Sequence, residues 1–410
     1  MDKRLRSHVD TIVSAAIASV LPDEAVRRAL DGQDFPGRVI LVAAGKAAWQ
    51  MANAAHNCMG SRICSGVVIT KYGHVKAPIA NFQCREAGHP VPDENSFAST
   101  QAALDLVSDL TPQDTVLFLL SGGGSALFEK PLVSGSVLQD ITNQLLACGA
   151  DIVEINTIRK RLSAVKGGRF AQCCAPARVF SVVLSDIIGD PLDMIASGPA
   201  VPDSSTCTQA IAIAKKYALS LPQEVWPLLE TETPKVLDNV TTQITGSVRE
   251  LCSAAAKACR ELGYEPIVLT DRLCCQAAEA GSFLASILRT HAESGKKLAF
   301  LAGGETVVRL TGQGKGGRNQ ELALAAAAGI EGIPGAAIFS VGSDGTDGPT
   351  DAAGGYADYE TAEALRRQGI DIFRILQDND AYHALKAADG LIFTGPTGTN
   401  VNDVAVALLG

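Results

Sequence analysis

Short aliphatic runs that end on glycine, serine or aspartate, each followed by an alanine-rich stretch, recur along most of this chain. Residues 38–44 (RVILVAA), 66–70, 115–120 and 179–184 read as buried strands, because apolar runs of that length without polar alternation suit strands covered on both faces. Helical periodicity follows at residues 46–58, 95–110, 137–147 and 158–173. Strand–helix alternation of this kind predicts an α/β fold whose N-terminal domain is a Rossmann-like parallel sheet with helices on both faces. Around residues 221–240 the rhythm lapses into PQEVWPLLETETPKVLDN, with three prolines and several acids, before a new helix begins at Gly246. A domain boundary is expected there, dividing residues 1–235 from a smaller C-terminal α/β domain at residues 236–410. Further strands are expected at residues 265–270, 297–302, 306–310, 336–341 and 391–394. A tight Gly303-Gly304 turn between the second and third of these predicts an antiparallel hairpin, and hence a mixed sheet.

With 410 residues, 47% hydrophobic and 19% charged, the chain can fill the cores of two domains. Its formal net charge of −9 gives no electrostatic footprint for nucleic acid or an anionic membrane surface, so any phosphate it binds must be held by a local cluster. No apolar run approaches the roughly 18 residues needed to cross a bilayer, and the first 25 residues read as an amphipathic helix rather than a cleavable leader. The eleven cysteines, an odd total without C-x-x-C spacing, argue against a disulfide framework or zinc site and for reduced thiols in the cytoplasm. They include two adjacent pairs, Cys173–Cys174 and Cys274–Cys275.

Ligands of α/β sheets gather at the carboxyl ends of strands. After the first strand, Gly45-Lys46 sets an ammonium at a helix start, where the dipole favours anions. After residues 115–120 stands Ser121-Gly122-Gly123-Gly124-Ser125, a glycine loop with hydroxyls and no bulky side chain to bar a phosphate. Arg159 and Lys166, seven residues apart, are expected on one face of helix 158–173, partly buried and in need of anionic partners. Asp186 and Asp190 follow the strand at 179–184, where a catalytic base or magnesium ligand belongs, although such acids also cap turns. Residues 302–349 crowd glycines around Glu305, Lys315, Arg318, Glu321, Asp344 and Asp347, offering cations for phosphate oxygens and carboxylates for a metal. Within that stretch Gly312 to Gly317 fits G-x-G-x-x-G, but the strand before it reads as half a hairpin rather than the opening of a βαβ unit. Near the C-terminus GPTGTNVND, between an apolar strand and VAVALL, reads as a docked loop and a further wall of a cleft. These loops favour phosphoryl transfer, yet the chain has no Walker A sequence and neither the HRD nor the DFG of protein kinases.

Taken together, GGGSALFEKP, NTIRKRLSAVKGGRFA, SDIIGDPLDMIASGP, AGGETVVRLTGQGKGGRNQE, SVGSDGTDGPTDAAG and GPTGTNVND resemble the glycerate 2-kinase family, the type II glycerate kinases with a MOFRL-type C-terminal domain, over nearly the whole chain. The resemblance implies ATP-dependent phosphorylation of D-glycerate at its 2-hydroxyl, with magnesium (Mg2+), in a cleft between the two domains. The family's functional positions fall on Lys46, Asp186, Glu305, Arg318, Asp344 and Asn400. Lys46, Arg318 and Asp186 are the expected catalytic residues, with Asn400, Arg159 and Lys166 joining Lys46 and Arg318 in binding glycerate. Ser121, Gly122, Gly123, Gly124 and Ser125 are expected to cradle the nucleotide phosphates, and Asp190, Glu305 and Asp344 to hold magnesium. Which carboxylate is base and which is metal ligand stays open. D-glycerate is the expected partner, with no nucleic acid or membrane, and the chain is expected as a monomer or homodimer. Three rivals remain: an NAD(P)H-dependent hydroxypyruvate reductase, for which His89 in GHPVPDE is the only loop proton donor among six histidines; a kinase giving 3-phosphoglycerate; and a non-catalytic sugar-acid sensor.

Overall fold

The aliphatic runs of the first half become the middle of a six-stranded sheet in the structure, a computed structural model that describes residues 1–410. The strands β1 (Val39–Ala44), β2 (Ile63–Lys71), β3 (Phe82–Ala87), β4 (Thr115–Leu120), β5 (Arg178–Leu184) and β6 (Val240–Gly246) lie in the order β3-β2-β1-β4-β5-β6. The pairs from β3 through β5 are parallel. Every residue of β1 and β4 is buried, as strands covered on both faces must be. Beside β4, Phe118, Phe128 and Phe170 pack with ring centroids 5.6, 4.8 and 5.0 Å apart, and each such ring contributes about 1.5–3 kcal/mol by leaving water. The helix expected over 158–173 is instead two, Ile152–Arg161 and Arg169–Cys174, parted where Gly167 and Gly168 take φ of +58° and +85°. Arg159 and Lys166 therefore do not share a helical face.

A second sheet holds β7 (Glu265–Leu273), β8 (Leu298–Gly304), β9 (Ala336–Gly342), β10 (Gly354–Asp358), β11 (Leu391–Ile392) and β12 (Asp403–Leu409), in the order β11-β10-β9-β12-β8-β7. It is mixed, as expected, but by another route. Residues 306–310 form no strand; Val307 and Leu310 are 53% and 81% exposed. The antiparallel partner of β8 is β12, while β7 runs parallel to β8 on its other side. Gly303 and Gly304 continue β8 rather than turning. A Cβ on Gly304 would lie 2.1 Å from the Leu273 carbonyl oxygen, so glycine there admits the close approach of β7.

Residues 25–185 with 190–245 form one compact unit, and residues 1–24, 186–189 and 246–410 form the other. The break comes at 245/246, ten residues beyond the expected 235/236, and the start of the chain goes with the second unit. Helix Lys3–Ser19, capped by the Asp2 carboxylate, buries Leu5, Val9, Ile12, Val13, Ala16 and Ile17 in one core with Leu251, Cys252 and Ala255 of helix Val248–Glu261. The stripe at 3–19 announces an amphipathic helix, but its spacing does not say which core it covers.

Candidate functional site

In the first unit the strand order reverses between β1 and β4, so the loops leaving their carboxyl ends are neighbours at the switch point. Gly45 has φ +126°, and a Cβ there would sit 2.2 Å from Ser121 Oγ, so only glycine lets the two loops meet. The Lys46 N–H donates to the Gly122 carbonyl at 2.8 Å, and Ser121 Oγ accepts the Ala47 N–H at 3.0 Å. Ser121, expected in the phosphate cradle, is 3% exposed and ties the two loops together through its hydroxyl oxygen. The backbone N–H groups of Gly122, Gly123, Gly124 and Ser125 donate to no group of the protein, and the Lys46 ammonium makes no hydrogen bond or ion pair. Burial, and then the charges of Lys46, Lys71 and His74, hold the His89 imidazole below its usual value. Unclaimed amides beside this cluster of cations make an anion-binding corner.

The far end of the same loop is held by the basic residues that follow. Arg159 Nη2 and Lys166 Nζ donate to the Ser125 carbonyl at 3.1 and 2.8 Å, and they lie 3.6 and 3.4 Å from the Glu129 carboxylate. The Lys166 and Glu129 side chains are wholly buried; burial pushes the Lys166 ammonium down to about 8 while Glu129 opposes the shift. Lys166 and Arg159, expected as substrate ligands, both hold the glycine loop and lie against Glu129. Lys160 and Arg161 are paired likewise with Asp203, at 3.0 and 3.8 Å. Farther along, Asp190, Ala196 and Ser197 take φ of +52°, +51° and +62°, a region that costs a residue other than glycine about 1 kcal/mol or more. The Asp190 Oδ1 is buried without a hydrogen-bond partner.

The second unit contains a cavity of about 820 Å³ lined by Ile188, Glu305, Arg318, Glu321, Asp344 and Asn379 among others. Arg318 opens helix Arg318–Ile330, and its guanidinium donates from Nε and Nη2 to the two Asp403 oxygens at 2.5 and 3.0 Å and from Nη1 to Glu305 Oε1 at 2.8 Å. Two parallel bonds to Asp403 fix the guanidinium plane, and the side chain stays 32% exposed. Burial alone would lower the Arg318 value, but the bonds to Asp403 together with the charges of Asp403, Glu305 and Asp347 outweigh it and keep the group charged. Burial pushes the Asp403 carboxyl up to about 6 against the pull of Arg318. Glu305, expected as a metal ligand, is engaged by Arg318.

Gly317 stands at the N-cap of that helix and has no side chain to cap it, so Asp347 does: its Oδ1 and Oδ2 accept the N–H groups of Asn319 and Gln320 at 3.1 and 2.9 Å. A Cβ on Gly317 would lie 2.3 Å from Asp347 Cγ. Gly312 and Gly314 make similar room for Asp378 and Asp380, at 2.3 and 2.4 Å. Glycines that read as amides gathered round an anion therefore serve close packing here, and Lys315 lies with Nζ 4.3 Å over the Tyr382 ring. Asp344 lines the cavity, and its Oδ1 accepts the Thr346 N–H at 2.9 Å. The C-terminal loop docks beside it, through Thr397 Oγ1 to the Ser343 carbonyl at 2.6 Å and the Val401 N–H to Ser343 Oγ at 2.8 Å. That loop carries the exposed Asn400, whose Oδ1 accepts the Asn402 N–H at 3.2 Å. Asp186 belongs to the segment that sends Ile188 into the cavity lining. No group of three or more His, Cys, Asp or Glu side chains converges as a metal centre. Sequence reasoning gave no role to Asp403 or Glu129 and offered Asp347 as a metal carboxylate, whereas it caps a helix; the one local signal was a bare glycine at a helix start, which demands a cap from elsewhere without naming it.

Two family models match the chain, one described as a domain of unknown function (DUF4147) over residues 8–230 and the MOFRL family over residues 298–403. The D-glycerate 2-kinase of Thermotoga maritima is 51% identical over 404 residues, covering 97% of each chain. A protein of Agrobacterium vitis named putative hydroxypyruvate reductase is 39% identical over 389 residues, covering 91% of this chain and 100% of its own. The crystal structure of a glycerate kinase from Thermotoga maritima matches the fold with a TM-score of 0.95 at 50% identity, covering 100% of both chains.

Proposed function

This chain belongs to the glycerate kinase family, and from that premise we propose that it transfers the γ-phosphoryl group of ATP to the 2-hydroxyl of D-glycerate, releasing 2-phospho-D-glycerate and ADP. The observation that carries the reading is the full-length likeness to a D-glycerate 2-kinase. The anion-binding corner at the ends of β1 and β4 supports it independently on chemical grounds. In phosphoryl transfer the protein chiefly positions the reactants and neutralises charge spreading over the transferred group. The unclaimed amides of Gly122, Gly123, Gly124 and Ser125 bind phosphate oxygens, and the unpaired ammonium of Lys46 binds glycerate's carboxylate and the transferred phosphoryl group. In the second unit Arg318, its plane fixed by Asp403 and Glu305, keeps an open edge suited to anionic oxygens, and Asn400 is the residue we assign to glycerate. Asp186 accepts the proton of the 2-hydroxyl. Magnesium takes one or two carboxylates and fills its remaining positions with water and phosphate oxygens. Asp190 of the first unit, whose buried Oδ1 lacks a partner, is a carboxylate of the kind that would hold it, and Asp344 in the second unit's cavity wall offers another. When bound, the ion neutralises phosphate charge.

No helix is long and apolar enough to cross a membrane. The eleven cysteines, an odd total without C-x-x-C spacing, support a reaction in the cytoplasm. The test of the reaction class pairs two assays on one preparation. With ATP, magnesium and D-glycerate the protein should release ADP in step with glycerate consumed, and with NADH and hydroxypyruvate it should leave the reduced-nicotinamide absorbance unchanged. NADH oxidation without ADP release would replace the kinase reading with the reductase.

A further inference from the structure

Cys274 and Cys275 are both exposed, on neighbouring residues between β7 and helix Ala277–His291. Their backbone supports a wall of the second unit's cavity. The Leu273 carbonyl accepts the Glu305 N–H at 2.8 Å, the Cys275 carbonyl accepts the Val307 N–H at 3.1 Å, and the Ala277 N–H donates to the Val307 carbonyl at 2.9 Å. Glu305 to Val308 line the cavity, and Glu305 holds Arg318 Nη1 at 2.8 Å. The Cα atoms of adjacent residues lie about 3.8 Å apart across a trans peptide, short of the roughly 4.4–6.8 Å of relaxed disulfides. Joining the two sulfurs therefore distorts the Cys274–Cys275 peptide. That peptide is flanked on either side by the two carbonyls, of Leu273 and Cys275, that hold residues 305 and 307 in place. The other adjacent pair is not equivalent, because Cys174 is buried and burial pushes its thiol up.

We propose that Cys274 and Cys275 form a peroxide-sensitive vicinal dithiol, whose closure to a disulfide loosens the Glu305–Val307 wall and with it the hold on Arg318. One thiol attacks the peroxide O–O bond, giving a sulfenic acid and a water; the second sulfur then attacks the sulfenic sulfur and releases a second water. Two thiols lose two protons and two electrons, and one peroxide is reduced to two waters. A dithiol reductant reverses the bond, the more readily because it is strained.

Trypsin cleaving after Arg272 and Arg289 gives the peptide LCCQAAEAGSFLASILR, which contains both cysteines and no others. After treatment of the full-length protein with hydrogen peroxide, this peptide should lose two hydrogen masses and amide hydrogen exchange should rise at residues 303–310. Glycerate-dependent ADP release should fall by about threefold or more and recover with dithiothreitol. Cys274→Ser and Cys275→Ser should each keep basal activity, show no two-hydrogen loss and resist peroxide. The activity readout rests on the kinase reading, whereas the mass and exchange readouts do not, so failure of one is distinguishable from failure of the other. An unchanged peptide mass, oxidation without faster exchange at 303–310, or equal peroxide sensitivity in Cys275→Ser would each overturn the proposal.

Discussion

Replacing Arg318 with alanine separates what this residue does for the fold from what it does for the reaction. In the folded protein it supplies two charge-assisted bonds to Asp403, whose side chain is only 8% exposed. Breaking one half of a buried pair costs about 3–5 kcal/mol. Two features reduce the figure here: Arg318 is itself 32% exposed, and Asp403 can escape by taking a proton. The second is measurable. The gap between about 6 and the ordinary 3.8 means that ionising Asp403 in the folded state already costs about 3 kcal/mol, at about 1.4 kcal/mol per unit. A carboxyl whose folded value lies above its unfolded one contributes stability that is present in acid and lost as pH rises through the folded value. Removing the guanidinium raises that value further, so the deficit of Arg318→Ala relative to wild type should be about 2 kcal/mol at about pH 7.5 and close to nothing at about pH 5. Urea unfolding followed by circular dichroism at both pH values reads it directly. Adding Asp403→Asn should restore the stability and flatten its pH dependence, while kcat stays down by about a hundredfold or more in both variants. Equal deficits at the two pH values would refute the electrostatic argument, and recovery of kcat in the double variant would refute the direct role of Arg318.

Three further substitutions probe the remaining claims. Lys46→Ala should lower kcat and raise the KM for glycerate, each by about tenfold or more, and an unchanged pair of constants would remove Lys46 from the anion corner. Gly317→Ala should destabilise the protein by about 2 kcal/mol, because the new Cβ falls within 2.3 Å of the Asp347 carboxyl carbon and breaks the cap; an unshifted thermal midpoint would contradict that packing. Lys166→Ala should cost about 3 kcal/mol by leaving the buried Glu129 with only Arg159, at 3.6 Å, to oppose its charge, most of it recovered by adding Glu129→Gln. If Lys166 bound substrate instead, the KM would rise while stability stayed near wild type.

The parts of this fold that were legible in the sequence are those whose environment leaves a periodic trace. β1 and β4 are continuous apolar runs because both faces are covered, and that alone identifies them. β3, with the sequence FQCREA, is a sheet edge and carries no such signal. Residues 306–310 look like a strand by composition, yet they run along the cavity wall with Val307 and Leu310 exposed, because the place beside β8 is taken by β12 from the far end of the chain. The same division applies to the candidate site. Lys46 and the glycine loop were readable because strand ends at a switch point are where ligands bind. What Asp347 and Asp403 do was not, because each works on the start of helix Arg318–Ile330 from 28 and 85 residues away. Local sequence likewise does not distinguish a glycine that admits a phosphate from one, like Gly317, that admits a carboxylate of the protein itself.

Phosphorus NMR of the product formed from ATP and D-glycerate tests the central claim most directly. Phosphate on the 2-hydroxyl couples to the single proton on carbon 2, so the account predicts a new ester resonance split as a doublet. A triplet, from the two protons of carbon 3, or no new ester resonance at all, would contradict it.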